Sequence, residues 1–300
     1  MMRMLALVIA ALALVSPAQA EDRGRFDEIA AVATTHIAPP HVVVWLPPGY
    51  DRGTRRYPVV YMNDGQNLFF PKRSSFNKVW AADASALRLI AAHRVAPFII
   101  VGIDHPGVDR YRQDFPTKVP RAAFRAAIEQ HEKAPVFGDT YLTFIADDLK
   151  PLIDQRYRTR PQPRFTAIAG SSMGGLISLY ALGERPDIFG RAAAVSTHLP
   201  LVGYDRADPI RADILADWQR WIDTRLGAPR GRRLWMDHGT MTLDAGYAAY
   251  QEPVDAVLAR AGWARGADFE SRVYAGAAHE ENAWAARLDD ILGWLLRDWK

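Results

Sequence analysis

A mostly parallel, doubly wound α/β sheet with helices on both faces is the fold class that the sequence predicts, on three observations. Short runs that are apolar on both faces recur along the chain, as strands buried inside a parallel sheet require. Between them lie stretches with apolar residues at three- and four-residue spacing, so strands and helices alternate. One strand-to-helix junction carries a serine flanked two residues away on each side by glycine, Gly170-Ser171-Ser172-Met173-Gly174.

The chain has 300 residues, 49% of them hydrophobic and 24% charged. That balance excludes long disorder and fibrous repeats. Cysteine is absent, which rules out disulfides, thiol nucleophiles and Cys-ligated metal sites. A net charge of +3 without a Lys/Arg block gives no footprint for nucleic-acid binding. At the N-terminus Arg3 precedes an apolar run from Leu5 to Val15, and Ala18-Gln19-Ala20 follows. This reads as a secretory signal over residues 1–20; the alternative is an uncleaved anchor. The run is shorter than the ~20 residues that span a bilayer, and no later stretch approaches that length. Residues 21–300 are therefore expected as one domain, periplasmic or secreted, with no membrane span.

Seven runs read as strands. Residues 41–46 (HVVVWL) are β-branched and end at the turn signal Pro47-Pro48-Gly49. Residues 58–62, 98–103, 165–169, 192–195, 234–236 and 269–274 follow. Residues 79–93, 176–182, 247–261 and 284–299 read as helices. So does a segment capped by Thr140 that carries Tyr141, Phe144, Ile145, Leu149 and Leu152, with a kink expected at Pro151. Residues 105–138 and 199–229 are left as long connections, which in a compact domain are usually functional or hold short helices.

The serine motif is G-x-S-x-G centred on Ser172, in the strand–turn–helix context that gives it meaning. A nucleophilic hydroxyl must protrude from a tight turn, and glycines on either side let that turn close without Cβ clashes. Ser171 is the rival nucleophile but lacks the symmetric flanks. In this architecture the order along the chain is Ser, then Asp or Glu, then His. Of eight histidines, His198, His238 and His279 follow Ser172. His279 lies after the last strand and before the last helix, where the base belongs. His36, His41, His93, His105 and His131 read as ordinary polar residues. His279-Glu280-Glu281 is not H-E-x-x-H, so no metal is indicated. The acid follows the penultimate strand. Asp244, in the loop beyond it, reaches an imidazole more easily than Asp237, which sits nearer the strand; both stand as candidates, with Asp244 preferred. The oxyanion needs two backbone donors. The N–H of Met173, directly after the nucleophile, is one; the Gln66 N–H, in Asn63-Asp64-Gly65-Gln66-Asn67 after the second strand, is the other.

Several stretches together resemble the putative-esterase family of α/β-hydrolases, the branch with enterochelin esterases, S-formylglutathione hydrolase (esterase D), and feruloyl and acetyl-xylan esterases. They are YMNDGQNLF from Tyr61, VGID from Val101, RYRQDFP from Arg110, LKPLID from Leu149, AIAGSSMGGLISLY from Ala167, Gly239-Thr240 with Asp244, and HEENAW from His279. The resemblance runs from about Val42 to the C-terminus. It implies an α/β-hydrolase fold, a Ser172/His279/Asp244 triad and ester hydrolysis without a cofactor. Two departures stand out: Ser196-Thr197-His198-Leu199-Pro200, where relatives carry Ser-Pro and an aromatic, and Asn63 before the Asp-Gly pair.

The expected activity is that of a serine carboxylic-ester hydrolase acting on a small-molecule ester. An acyltransferase on the same scaffold, like the mycolyl transferases, is the alternative, and a catalytically dead binding module a further one. Residues 105–138 and 199–229 are expected to wall the substrate pocket, with Trp80, Arg110 and His198 as substrate contacts. Arg110, Arg112, Arg121 and Arg125 read first as solvated or ion-paired arginines, with contact to an anionic or polyhydroxylated substrate the alternative, and Trp80 reads equally as a core residue.

Overall fold

The computed structural model describes residues 23–299, so the signal segment 1–20 lies outside the described residues. Eight strands form one sheet: β1 Arg25–Ile29, β2 Val42–Leu46, β3 Val59–Asn63, β4 Ile99–Ile103, β5 Thr166–Ser171, β6 Arg191–Val195, β7 Arg233–Gly239 and β8 Phe269–Tyr274. Their order is β1-β2-β4-β3-β5-β6-β7-β8. β1–β2 and β2–β4 pair antiparallel and every other pair is parallel. The doubly wound, mostly parallel sheet expected from the apolar runs is present. The strand missing from the sequence reading is β1, RFDEI, an edge strand only partly buried and carrying three charges.

Strand alternation divides the interior into two layers. Val42, Val44, Tyr61, Val101, Ile168, Ala192 and Met236 face the helix Met173–Glu184 and its neighbours. Val43, Trp45, Val60, Ile100, Ala167, Ala193 and Trp235 face Leu288, Ile291, Leu292 and Leu295 of the helix Glu281–Leu295. The helix Met173–Glu184 is buried at every residue but Glu184. A helix sandwiched in this way is apolar all round and shows little periodicity, which is why its first turn escaped the predicted span 176–182.

Two expectations on helices need correction. Thr140 is not a cap: the helix Gly138–Phe144 begins two residues earlier, with Phe137 at the cap position. The break expected at Pro151 is a wide π turn, Ile145–Leu149, just ahead of Lys150–Arg156, where Pro151 stands in the first turn. The long connections hold helices, as their length required. Ala122–Glu132 lies in the first, and Arg211–Trp221 in the second.

Candidate active site

Ser172 joins the end of β5 to the helix Met173–Glu184 with φ 56° and ψ −118°. A positive φ at a non-glycine residue costs ~1–3 kcal/mol and persists only where the surroundings enforce it. Here they do. The Ser172 N–H donates to the Val195 carbonyl at 2.9 Å, and the Ser172 carbonyl accepts from the N–H groups of Leu176 (3.0 Å) and His198 (3.3 Å). The glycines answer to contact. A Cβ on Gly170 would lie 2.7 Å from the Gly174 carbonyl carbon, and one on Gly174 would lie 3.1 Å from the Asn63 Cβ. Asn63 braces the turn: its Nδ2 donates to the Ala169 and Gly174 carbonyls and to Ser178 Oγ, while its Oδ1 accepts from the Tyr141 hydroxyl at 2.7 Å.

His279 follows β8. Its Nδ1 lies 2.6 Å from Asp244 Oδ1, and its backbone N–H donates to Thr242 Oγ1 at 2.8 Å. Its ring meets the rings of Trp284 and Tyr247 edge-on at 5.1 and 5.7 Å. Asp244 is buried, and its Oδ2 accepts from the Gly239 N–H and from Ser196 Oγ, each at 2.6 Å. Burial alone would raise this carboxyl; hydrogen bonds from His279, Ser196 and Gly239 outweigh it and hold the group below its ordinary value. An ionised Asp244 places the proton on Nδ1 and leaves Nε2 free as a base.

Asp237 is placed differently. It is fully buried on β7, with Oδ1 accepting from the Ser196 N–H (3.1 Å) and from Arg287 (2.7 Å), and Oδ2 from Trp235 Nε1 (2.7 Å). Burial lifts its carboxyl, with the Arg287 charge opposing. The carboxylate that touches His279 is Asp244.

Ser172 and His279 line one cleft of about 180 Å³ with Asp64, Asn67, Ser75, His105, Arg110, Ser171, Glu281 and Trp284. A larger hollow of about 640 Å³ lies near the start of β4, walled by Arg55, His93, Arg94, Arg297 and Trp299 among others, and brings together no serine and base. Arg110 does reach the Ser172 cleft, but its guanidinium is held by Asp64 in two bonds of 2.5 and 2.7 Å and by the Ser171 carbonyl at 3.3 Å. Trp80 does not line the cleft. It is 3% exposed and packs behind Trp284, ring centroids 5.6 Å apart, so Trp284 forms the wall expected of Trp80. His198 is also set back. Its Nδ1 accepts from the Tyr247 hydroxyl at 3.0 Å, and its Nε2 donates to the Val202 carbonyl at 3.1 Å. Burial pushes it down to about 4, so it is a neutral support for Tyr247 rather than a cleft residue.

Met173 opens its helix, so its N–H has no intrahelical partner. Gln66 sits in the turn Gly65–Asn67, between the cleft residues Asp64 and Asn67, with its side-chain Oε1 accepting from the His105 N–H at 3.3 Å. The turn lies against β4: a Cβ on Gly65 would stand 2.5 Å from the Gly102 carbonyl carbon. Gly65→Ala is therefore expected to destabilise the fold by ~1–3 kcal/mol, because backbone cannot yield as a side chain can. It should also lower turnover by moving the Gln66 N–H. Urea unfolding and ester turnover on the same sample check both.

Tyr247, Trp284, Glu281, Asn67, Ser75 and His105 were not picked out as site residues from the sequence. Trp284 and Glu281 lie within the HEENAW stretch, which was the available signal; Tyr247 and Ser75 had none.

Residues 37–295 match the model of the family described as "Putative esterase". Among curated proteins, the uncharacterized protein YbbA of Bacillus subtilis (strain 168) is 26% identical over 153 residues, 51% of this chain and 54% of that protein. The siderophore triacetylfusarinine C esterase of Aspergillus fumigatus is 32% identical over 141 residues, 44% of this chain and 41% of that protein. The chain thus spans about half the length of the curated relatives it matches. Among solved structures, an IroE-like serine hydrolase from Shewanella oneidensis superposes with a TM-score of 0.67 at 20% identity, covering 92% of this chain and 81% of that one. The enterobactin esterase FES from Shigella flexneri gives 0.62 at 17% identity, covering 90% and 58%. A ferulic acid esterase gives 0.61 at 19% identity, covering 91% and 98%. At these identities the likeness is one of fold.

Proposed function

The chain belongs to the esterase family whose model it matches over residues 37–295, and from that premise we propose that it is a serine carboxylic-ester hydrolase working through Ser172, His279 and Asp244. The observation that carries this reading is the 2.6 Å contact between His279 Nδ1 and Asp244, in a cleft shared with a serine at φ 56°. Ser172 Oγ attacks the ester carbonyl as His279 Nε2 takes its proton, and Asp244 balances the imidazolium. The N–H groups of Met173 and Gln66 are the proposed donors to the oxyanion. Collapse expels the alcohol, protonated by His279, and leaves Ser172 acylated. Water, deprotonated by His279, then releases the acid and restores the serine.

The cleft presents hydrogen-bonding groups from Asn67, Ser75, His105 and Glu281, so the proposed substrate is an ester with polar groups beside the scissile bond. The matched siderophore esterase is consistent with that class. Residues 1–20, read as a leader, carry the further proposal that residues 21–300 act outside the cytoplasm. Labelling with a fluorophosphonate, followed by mass spectrometry of the modified peptide, tests the nucleophile. A competing alcohol in the assay separates hydrolysis from acyl transfer.

kcat/KM is expected to rise with pH as the base loses its proton and then level, because the base must be neutral to accept a proton. Asp244 adds no second limb above pH 5, since its carboxyl is held below its ordinary value. EDTA should leave the profile unchanged, since the proposed chemistry uses no metal. A flat profile from pH 5 to 9, or activity lost to EDTA and restored by zinc, overturns the mechanism.

A further inference from the structure

The Ser196 hydroxyl has three polar neighbours. Trp284 Nε1 lies at 3.0 Å, an Arg287 terminal nitrogen at 2.7 Å, and Asp244 Oδ2 at 2.6 Å. An indole N–H and a guanidinium can only donate. Both Ser196 lone pairs are therefore taken, and its single proton has one place to go, the Asp244 carboxylate. The direction of this hydroxyl, normally free to rotate, is fixed by its surroundings. The other terminal hydrogen of the same Arg287 nitrogen serves Asp237 Oδ1 at 2.7 Å, and Arg287 itself is 3% exposed.

We propose that Ser196 is a positioning residue for the triad acid, its proton held on Asp244 by Trp284 and by a buried Arg287 that Asp237 anchors. The inference rests on the triad reading above. Arg287 polarises the Ser196 O–H, and a donor polarised by a cation makes a stronger bond to a carboxylate. With the Gly239 N–H, Ser196 occupies Oδ2 and leaves Oδ1 aimed at His279. Ser196 holds φ 41°, a conformation a serine adopts only under constraint, and its own N–H is fixed by Asp237. The chain also sets how much negative charge Asp244 offers the imidazolium: each donor on Oδ2 withdraws some of it.

The titratable groups facing this network include Tyr204, Tyr247, His198 and Asp237, with His105 and Glu281 in the cleft. Burial pushes both tyrosines above their ordinary value and His198 down to about 4. The group packed over Arg287 is the Tyr274 ring, itself pushed up by burial. Asp237 and Glu281 are pushed up by burial and His105 down, so a shift in the activity profile is read as the difference between Ser196→Ala and wild type, which share all of these groups.

Ser196→Ala tests the proposal. Without the donor that fixes Oδ2, Asp244 aims Oδ1 at His279 less well, and kcat is expected to fall by roughly 10- to 100-fold through this misplacement, with KM within about two-fold. The midpoint of kcat/KM against pH should move upward, because an Asp244 relieved of one donor holds the imidazolium more tightly. A merely structural serine would move neither the midpoint nor kcat once the protein is folded. Should the alanine variant fail to fold at φ 41°, Ser196→Gly removes the same hydroxyl without backbone strain. A folded variant with wild-type kcat, or with an unmoved or lowered midpoint, overturns the proposal. Asp244→Asn measured in parallel separates the two readings. If it retains activity, the triad assignment fails; if it is dead while Ser196→Ala matches wild type, only the role of Ser196 fails.

Discussion

Ser172→Ala is expected to reduce kcat by ~10⁴-fold or more while leaving the fold in place. The substitution removes one oxygen from the turn and keeps everything that builds it. The Ser172 backbone bonds to Val195, Leu176 and His198 are unaffected, and alanine bears the positive φ about as well as serine. Stability should therefore change little, which separates loss of chemistry from loss of structure. His279→Ala should cost about as much, and the double variant little more, because nucleophile and base act as a unit. Thermal unfolding and single-turnover kinetics on purified protein check both halves. A folded Ser172→Ala enzyme that keeps more than roughly a tenth of the wild-type kcat removes Ser172 from the mechanism, since triad losses run to orders of magnitude.

The parts of this molecule that local sequence encodes are those whose neighbours in space are also neighbours in the chain. Buried strands such as VVVWL and IIVGI announce themselves because both faces are covered. β1 does not: as an edge strand it needs only one covered face, and its charges read as loop. The elbow around Ser172 is legible because part of its constraint is local: a Cβ on Gly170 would meet Gly174, four positions on. The placement of Asp244 was legible as a loop position after a strand. What was hidden is contact between distant segments. Trp80 and Trp284 are 204 positions apart, and nothing in either stretch says which ring covers the other. His198 looked like a substrate contact because its segment borders the site, yet its two ring nitrogens are committed to Tyr247 and Val202. The contact of Ser196 with Asp244, 48 positions away, and with Arg287, 91 positions away, depends on β6, β7 and the last helix meeting in the fold. No spacing rule could have shown it.

Asp244→Asn should lower kcat by ~10⁴-fold, far more than Asp237→Asn, and the hydrogen bonds around each carboxylate say why. Oδ2 of Asp244 accepts from two donors, the Gly239 N–H and the Ser196 hydroxyl. An asparagine there has one oxygen and one NH₂. Turning the NH₂ toward Gly239 and Ser196 would set donors against donors in a buried site, which costs free energy with no compensating bond. The favoured arrangement puts the oxygen on those two and the NH₂ on His279. An NH₂ can only donate, so Nδ1 must accept and the ring proton moves to Nε2, the nitrogen that has to receive the Ser172 proton. The imidazole is then held in the wrong tautomer, and the charge that would balance imidazolium is gone. Asp237→Asn fails in another way. It leaves the buried Arg287 without its anionic partner, a change of ~3–5 kcal/mol in stability, while the contact between Asp244 and His279 survives. Folded Asp237→Asn should thus keep kcat within about an order of magnitude of wild type and show a clearly lower unfolding midpoint. Kinetics at saturating substrate and chemical denaturation of both variants decide the matter. The reverse ranking, Asp237→Asn inactive and Asp244→Asn active, would transfer the acid to Asp237, and small, equal losses in both would leave Ser172 and His279 working as a dyad.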